Sequence, residues 1–158
     1  MARGDCHFFR DWIRNNAGGS PNNLASDTLR LGICKNGITP TVDTADPRWG
    51  ASGTTNFYGV AGANECLNHV GGYNGPITMT GATWVASAGG VIKLSLPNVT
   101  IPLDASGFSD GYWGILYDDT DTGKHCVGFV ELTGPVSIQA GALNINWANG
   151  IFGQVTAA

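Results

Sequence analysis

Gly111-Tyr112-Trp113-Gly114-Ile115-Leu116-Tyr117, then Asp118-Asp119-Thr120-Asp121-Thr122-Gly123-Lys124, then His125-Cys126-Val127-Gly128-Phe129-Val130-Glu131-Leu132: this stretch decides the fold. Its two arms carry the aromatic and β-branched residues that suit a pleated surface, and the polar segment between them ends on glycine. The stretch is a β-hairpin. Alternation puts Trp113, Ile115 and Tyr117 on one face of the first arm. Cys126, Val130 and Leu132 share one face of the second arm, beside Gly128. Leu116, Val127 and Phe129 make the opposite face apolar as well, so the hairpin is expected at the centre of a sheet, covered on both sides.

Working outward, the C-terminal half reads as β throughout. One strand is expected over Ile77 to Val85, with an irregularity at Gly81. Another runs from Val91 to Leu96, and the proline-flanked Val99-Thr100-Ile101-Pro102-Leu103 suits a sheet edge. Leu143-Asn144-Ile145-Asn146-Trp147 alternates strictly, and Asn149-Gly150 predicts a hairpin that returns through Ile151 to Val155. Many short strands at this spacing indicate a sandwich or barrel. The expected fold is all-β, an antiparallel, jelly-roll-like β-sandwich with a short N-terminal helix.

Toward the N-terminus, Thr28 to Cys34 alternates Leu29, Leu31 and Ile33 against Thr28, Arg30 and Gly32, a strand with one wet face. Residues Asp5 to Asn16 form the best helix candidate, because Phe8 and Trp12, and Phe9 and Ile13, are spaced four apart. That segment either closes its own domain or serves as an arm that docks in a partner's groove. The turn-rich Asn15 to Asn23 follows. Two parts are therefore expected: an arm with helix and linker over 1–27, and a sandwich over 28–158. From Lys35 to Gly72 no periodicity survives. A loop of that length is either functional or held by a partner, and its aromatics either anchor an interface or pin an Ω-like loop to its own sandwich. Phe8, Phe9, Trp12, Trp49, Phe57 and Tyr58 are the candidate partner-binding residues, since aromatics anchor interfaces.

Composition narrows the function. Charged residues are 13% of 158, about half the usual share, so the surface is poorly protected against association. The net charge of −4 argues against nucleic acid as a partner. No run approaches the ~20 apolar residues of a membrane span. Met1-Ala2-Arg3 leads straight to Asp5 without an apolar stretch, so a soluble protein made in a cytosol is expected.

Chemistry-bearing motifs are sparse. Cys6-His7, Cys66 with His69, and His125-Cys126 carry zinc-type donors, but a closed site needs four to converge from distant segments. Isolated structural residues, and no metal or cofactor, are the expectation. The acidic turn misses the D-x-[DN]-x-[DN]-G calcium pattern. No nucleophile elbow occurs, and the chain's two glutamates, Glu65 and Glu131, sit in no glycosidase signature. An enzyme is not expected.

One order of motifs stands out. Leu29-Arg30-Leu31-Gly32-Ile33, Ile38-Thr39-Pro40, Trp49 and Asn64-Glu65 are followed by Tyr73-Asn74-Gly75 and Ile77-Thr78-Met79-Thr80. Then come Tyr112-Trp113-Gly114-Ile115-Leu116-Tyr117-Asp118-Asp119 and Leu143-Asn144-Ile145-Asn146-Trp147 with Gly150-Ile151. Over about residues 28–155, this order resembles a family of small structural proteins of tailed bacteriophages. It departs from that pattern in the aromatic Cys6–Asn16 segment and in the loop with Cys66 and His69. The resemblance implies a capsid decoration (cement) protein on the virion exterior, assembled in the host cytoplasm. Its partners would be the major capsid protein and copies of itself in a homotrimer. A neck, tail or fibre-base protein is the alternative. A carbohydrate-binding sandwich is a second alternative, suggested by five Trp and four Tyr.

Overall fold

The computed structural model describes residues 5–17, 26–50, 52–66 and 72–156. Its first part holds strand β1 (Cys6–Phe8), helix α1 (Arg10–Ala17), strand β2 (Leu29–Cys34), and the two-residue strands β3 (Pro47–Arg48), β4 (Thr55–Asn56) and β5 (Ile77–Thr78). Strands β6 (Thr83–Ser87), β7 (Val91–Ser95), β8 (Val99–Ile101), β9 (Gly111–Asp118), β10 (Cys126–Val136), β11 (Leu143–Ile145) and β12 (Ile151–Thr156) complete it. The main sheet has the order β1-β10-β9-β2-β5, and smaller sheets β12-β7-β6 and β11-β8 stand apart from it. All three are antiparallel. The fold is an all-β, sandwich-like arrangement with one helix.

The β9–β10 hairpin lies in the middle of the main sheet, and every residue from Trp113 to Asp118 is buried. Alternation along β10 is broken by a bulge. Cys126 pairs with Tyr117, but Gly128 pairs with Leu116, which leaves Val127 as an extra residue. An inserted residue reverses the parity of everything beyond it. Cys126 therefore looks to the Tyr117 face together with Phe129, whereas Val130 stands over Gly114 on the other. The expected common face for Cys126 and Val130 is corrected accordingly.

Both faces are covered by different means. On one, Phe152 of β12 packs so closely that a Cβ on Gly128 would stand 2.7 Å from its ring. That face also carries Leu29, Leu31, Ile33 and Leu116, all at most 2% exposed. On the other face, the segment 36–66 folds back over β2 and β9. Trp49 lies on Gly32 and stacks on Tyr117 with ring centroids 5.2 Å apart and planes 4° from parallel. The face of β2 expected to be wet stays open to solvent at Thr28 and Arg30 and is covered at Gly32, where the absence of a side chain leaves a slot that an indole fills.

Three further expectations change. The Asp5–Asn16 helix begins only at Arg10, since Cys6–Phe8 instead pairs with Gly128–Val130 as the sheet's edge strand. The segment thereby adds an edge strand to the main sheet. The single strand expected over Ile77–Val85 is two strands in different sheets, separated at Gly81, whose φ of +86° turns the chain. The Asn149-Gly150 turn forms, but it joins no hairpin. β11 pairs with β8 and β12 with β7, so the turn carries the chain from one sheet to another.

Candidate functional site

The six aromatics nominated from sequence are spent inside the molecule. Phe9, Trp12, Trp49 and Phe57 are buried, and Phe8 and Tyr58 are half-buried. Phe9 packs between Phe57 and Phe129, with centroids 5.6 and 5.1 Å away. Phe8 stacks on Trp12 at 5.6 Å and meets Trp84 and Phe152 edge-on. Tyr58 rests on Trp49. Each of them finds an apolar partner on a neighbouring element of its own chain. Among the two readings of the long loop, the pinned one describes it.

Of the large apolar side chains exposed among the described residues, Val60 and Leu103 stand singly, whereas Val85 and Ile92 share the β6–β7 hairpin. Gly89 and Gly90, at φ of +77° and +70°, make its tip. Trp84 pairs with Leu94 at the base, where Leu94 is fully buried. The same face continues outward through Ala86, Ile92 and Val155. Ile92 is 37% exposed there, and Val85 on the opposite face is 51% exposed. This apolar stripe therefore runs past the core that covers its base. No sequence signal marked it, because Val91–Leu96 reads like any amphipathic strand.

A groove of about 540 Å³ opens between the end of β10 and β11. Leu132, Val136, Leu143, Ile145 and Trp147 line it, with Asn144 and Asn146 at its rim. The Trp147 indole N–H donates to Pro97 O at 2.7 Å, which holds the ring within the fold. These residues were read from the sequence only as strand positions, since the groove exists only once β10 and β11 are side by side.

The acidic turn after β9 is densely paired. Asp119 binds Arg30 at 3.0 Å and Lys124 at 2.7 Å. Asp121 pairs with the His125 ring. Although its site is partly desolvated, Asp121 is held below the usual carboxylate range by hydrogen bonds from His125 and the Gly123 N–H. Arg48 Nη1 donates to Gly123 O at 3.0 Å, tying the long loop to this turn. Asp118 differs. It is fully buried, and burial followed by the nearby Asp27 carboxyl raises its pKa to about 6, against backbone hydrogen bonds that lower it.

The thiols are not poised for chemistry. All four cysteines are free, and Cys34, Cys66 and Cys126 are buried. Burial pushes all three well above the ordinary thiol value, and a nucleophile needs the thiolate. Cys6 is raised to about 11, mainly by burial and then by Asp5. Glu65, 3% exposed, accepts the Tyr73 hydroxyl at 3.0 Å, and that oxygen in turn accepts the Ile33 N–H at 2.9 Å. Such a chain of bonds satisfies a buried carboxyl and anchors the segment before β5 to β2. Among the described residues, no three of His, Cys, Asp and Glu gather as metal ligands. His69 lies outside the described residues. No described helix is long and apolar enough to cross a membrane. Comparison of the chain with protein-family models, with characterised proteins and with solved structures finds no match.

Proposed function

We propose that the chain is a structural protein of a tailed-bacteriophage virion, a capsid decoration (cement) protein on the outside of the shell that holds adjacent major capsid subunits together. The observation that carries this reading is the β6–β7 hairpin, whose apolar stripe outruns the core at Ile92 and Ala86. An uncovered apolar face favours burial against another chain. The low charge fraction supports the same reading, as does the order of motifs that resembles the phage family. A cement protein acts by mass action: it binds the assembled shell and not its separated parts, so it lowers the free energy of the shell. Assembly as a homotrimer multiplies weak contacts into firm attachment.

The neck, tail or fibre-base placement uses the same surface and differs in stoichiometry. A carbohydrate-binding role has less support. Stacking on a sugar needs an open aromatic face, and Trp12, Trp49, Trp113 and Trp147 are all buried.

Quantitative mass spectrometry of purified particles tests the reading. Copies on the order of hundreds per particle are expected for a shell protein, and about a dozen for a tail or neck component. Ile92→Asp should release the protein from particles while leaving its circular dichroism unchanged. Absence from particles, or undiminished binding by Ile92→Asp, would refute the proposal.

A further inference from the structure

A sheet edge offers a row of unpaired N–H and C=O groups to any other strand, and proteins blunt such edges with proline, charge, bulges or brevity. Among the described strands all edges but one are blunted. β1 and β11 have three residues each, and β3, β4 and β5 have two. β8 is a three-residue strand between Pro97 and Pro102. β12 is longer, but its register shifts between Ile151 and Gly153, and a Cβ on Gly153 would stand 2.7 Å from the Phe8 ring. β6 has none of these devices. Thr83-Trp84-Val85-Ala86-Ser87 carries no charge and no proline, pairs with β7 in unbroken register, and has no described strand on its outer side. All of its residues except Trp84 are exposed.

This edge is also complementary to itself. Antiparallel pairing of two β6 strands about Val85 sets Val85 against Val85, Trp84 against Ala86, and Thr83 against Ser87. Two β-branched side chains meet, a large one lies beside a small one, hydroxyl faces hydroxyl, and no like charges are opposed. We propose that β6 pairs with the β6 of a second copy of this chain across a two-fold axis at Val85, so that two three-stranded sheets become one sheet of six. Val85 is 51% exposed in the single chain, and the pairing covers it with its own counterpart. On the other face, the Ala86–Ile92 stripes of the two copies come side by side. The inference stands apart from the virion reading, because pairing uses the edge of the sheet and leaves that striped face open. One strand pair buries less than the ~1,200 Å² of a stable complex, so the association is weak and is populated at about 0.1–1 mM.

Sedimentation equilibrium of the full chain at about 0.5 mM tests the pairing. The native chain should have at least twice the mass of Val85→Lys, which sets two ammonium groups against each other on the axis. Val85→Glu should behave alike. Both substitutions change a side chain open to solvent, so the circular dichroism of each should match the native spectrum. An equimolar mixture of the two variants should regain the native mass, because each ammonium then meets a carboxylate, a recovery that a folding defect would not give. Equal masses for the native chain and Val85→Lys would overturn the proposal and leave the edge to a strand of another protein. A mixture that keeps the mass of the separate variants would overturn it as well, since Val85 would then not face its own copy.

Discussion

Gly32→Ala is the sharpest probe of how the central sheet is covered. A Cβ at this position would stand 2.1 Å from Trp49 Cη2, and 2.5 and 2.6 Å from Cζ2 and Cζ3. Carbon atoms in contact sit at about 3.5–4.0 Å, so the indole must withdraw by about 1.5 Å. Overpacking of this kind costs about 1–3 kcal/mol. Withdrawal also breaks the parallel stack on Tyr117, which is worth about 0.5–1.5 kcal/mol. The sum, about 2–4 kcal/mol, is a large part of the ~5–15 kcal/mol that holds a domain folded. Urea denaturation followed by circular dichroism should show the midpoint falling by about 1–2 M with an unchanged slope. Gly141→Ala, where a Cβ meets nothing within 4 Å, is the neutral comparison. In a Trp49→Ala background the penalty at Gly32 should nearly vanish, giving a coupling energy of about 2 kcal/mol. Strict additivity of the two substitutions, or a Gly32→Ala midpoint equal to the native one, would refute the placement of Trp49.

Removal of residues 1–9 should unfold the domain, because it strips β1 from β10 and takes Phe9 out of the core; a retained β-type circular dichroism spectrum would contradict this. Stability should fall as pH rises from about 4 to about 6.5. The pKa of Asp118 is raised from 3.8 to about 6 in the folded state. The folded chain therefore holds that proton more tightly than the unfolded chain, and its advantage of ~2–3 kcal/mol is lost as the proton leaves. Asp118→Asn should flatten this slope and be the more stable form at about pH 7.5, as read from Tm against pH; an unchanged slope would show that Asp118 is not the group responsible.

The centre of the fold was legible because both faces of Trp113–Tyr117 and Val127–Val130 are apolar, and only a strand between two layers satisfies that. What covers those faces was not legible. Trp49 and Phe57 sit in a segment without periodicity, and nothing local shows that an indole will settle on a glycine. The N-terminal strand was hidden by an accident of spacing. Phe8 and Trp12 meet as they would across a helical turn, although Phe8 is the last residue of β1. The bulge at Val127 left no mark either, since a β-branched apolar residue fits an extended strand equally well. The carboxyl pair needed the fold itself, because Asp27 and Asp118 meet only when β2 pairs with β9.

The edge-to-face contact of Phe8 with Phe152 joins opposite ends of the described chain. A nascent polypeptide on the ribosome cannot make that contact until Phe152 has left the exit tunnel. Until then one flank of Gly128 stays bare, and the hairpin offers other chains an adhesive ridge. Slower synthesis would prolong that exposure rather than aid maturation, so production of this protein should gain more from a chaperone present during elongation than from a reduced rate of translation.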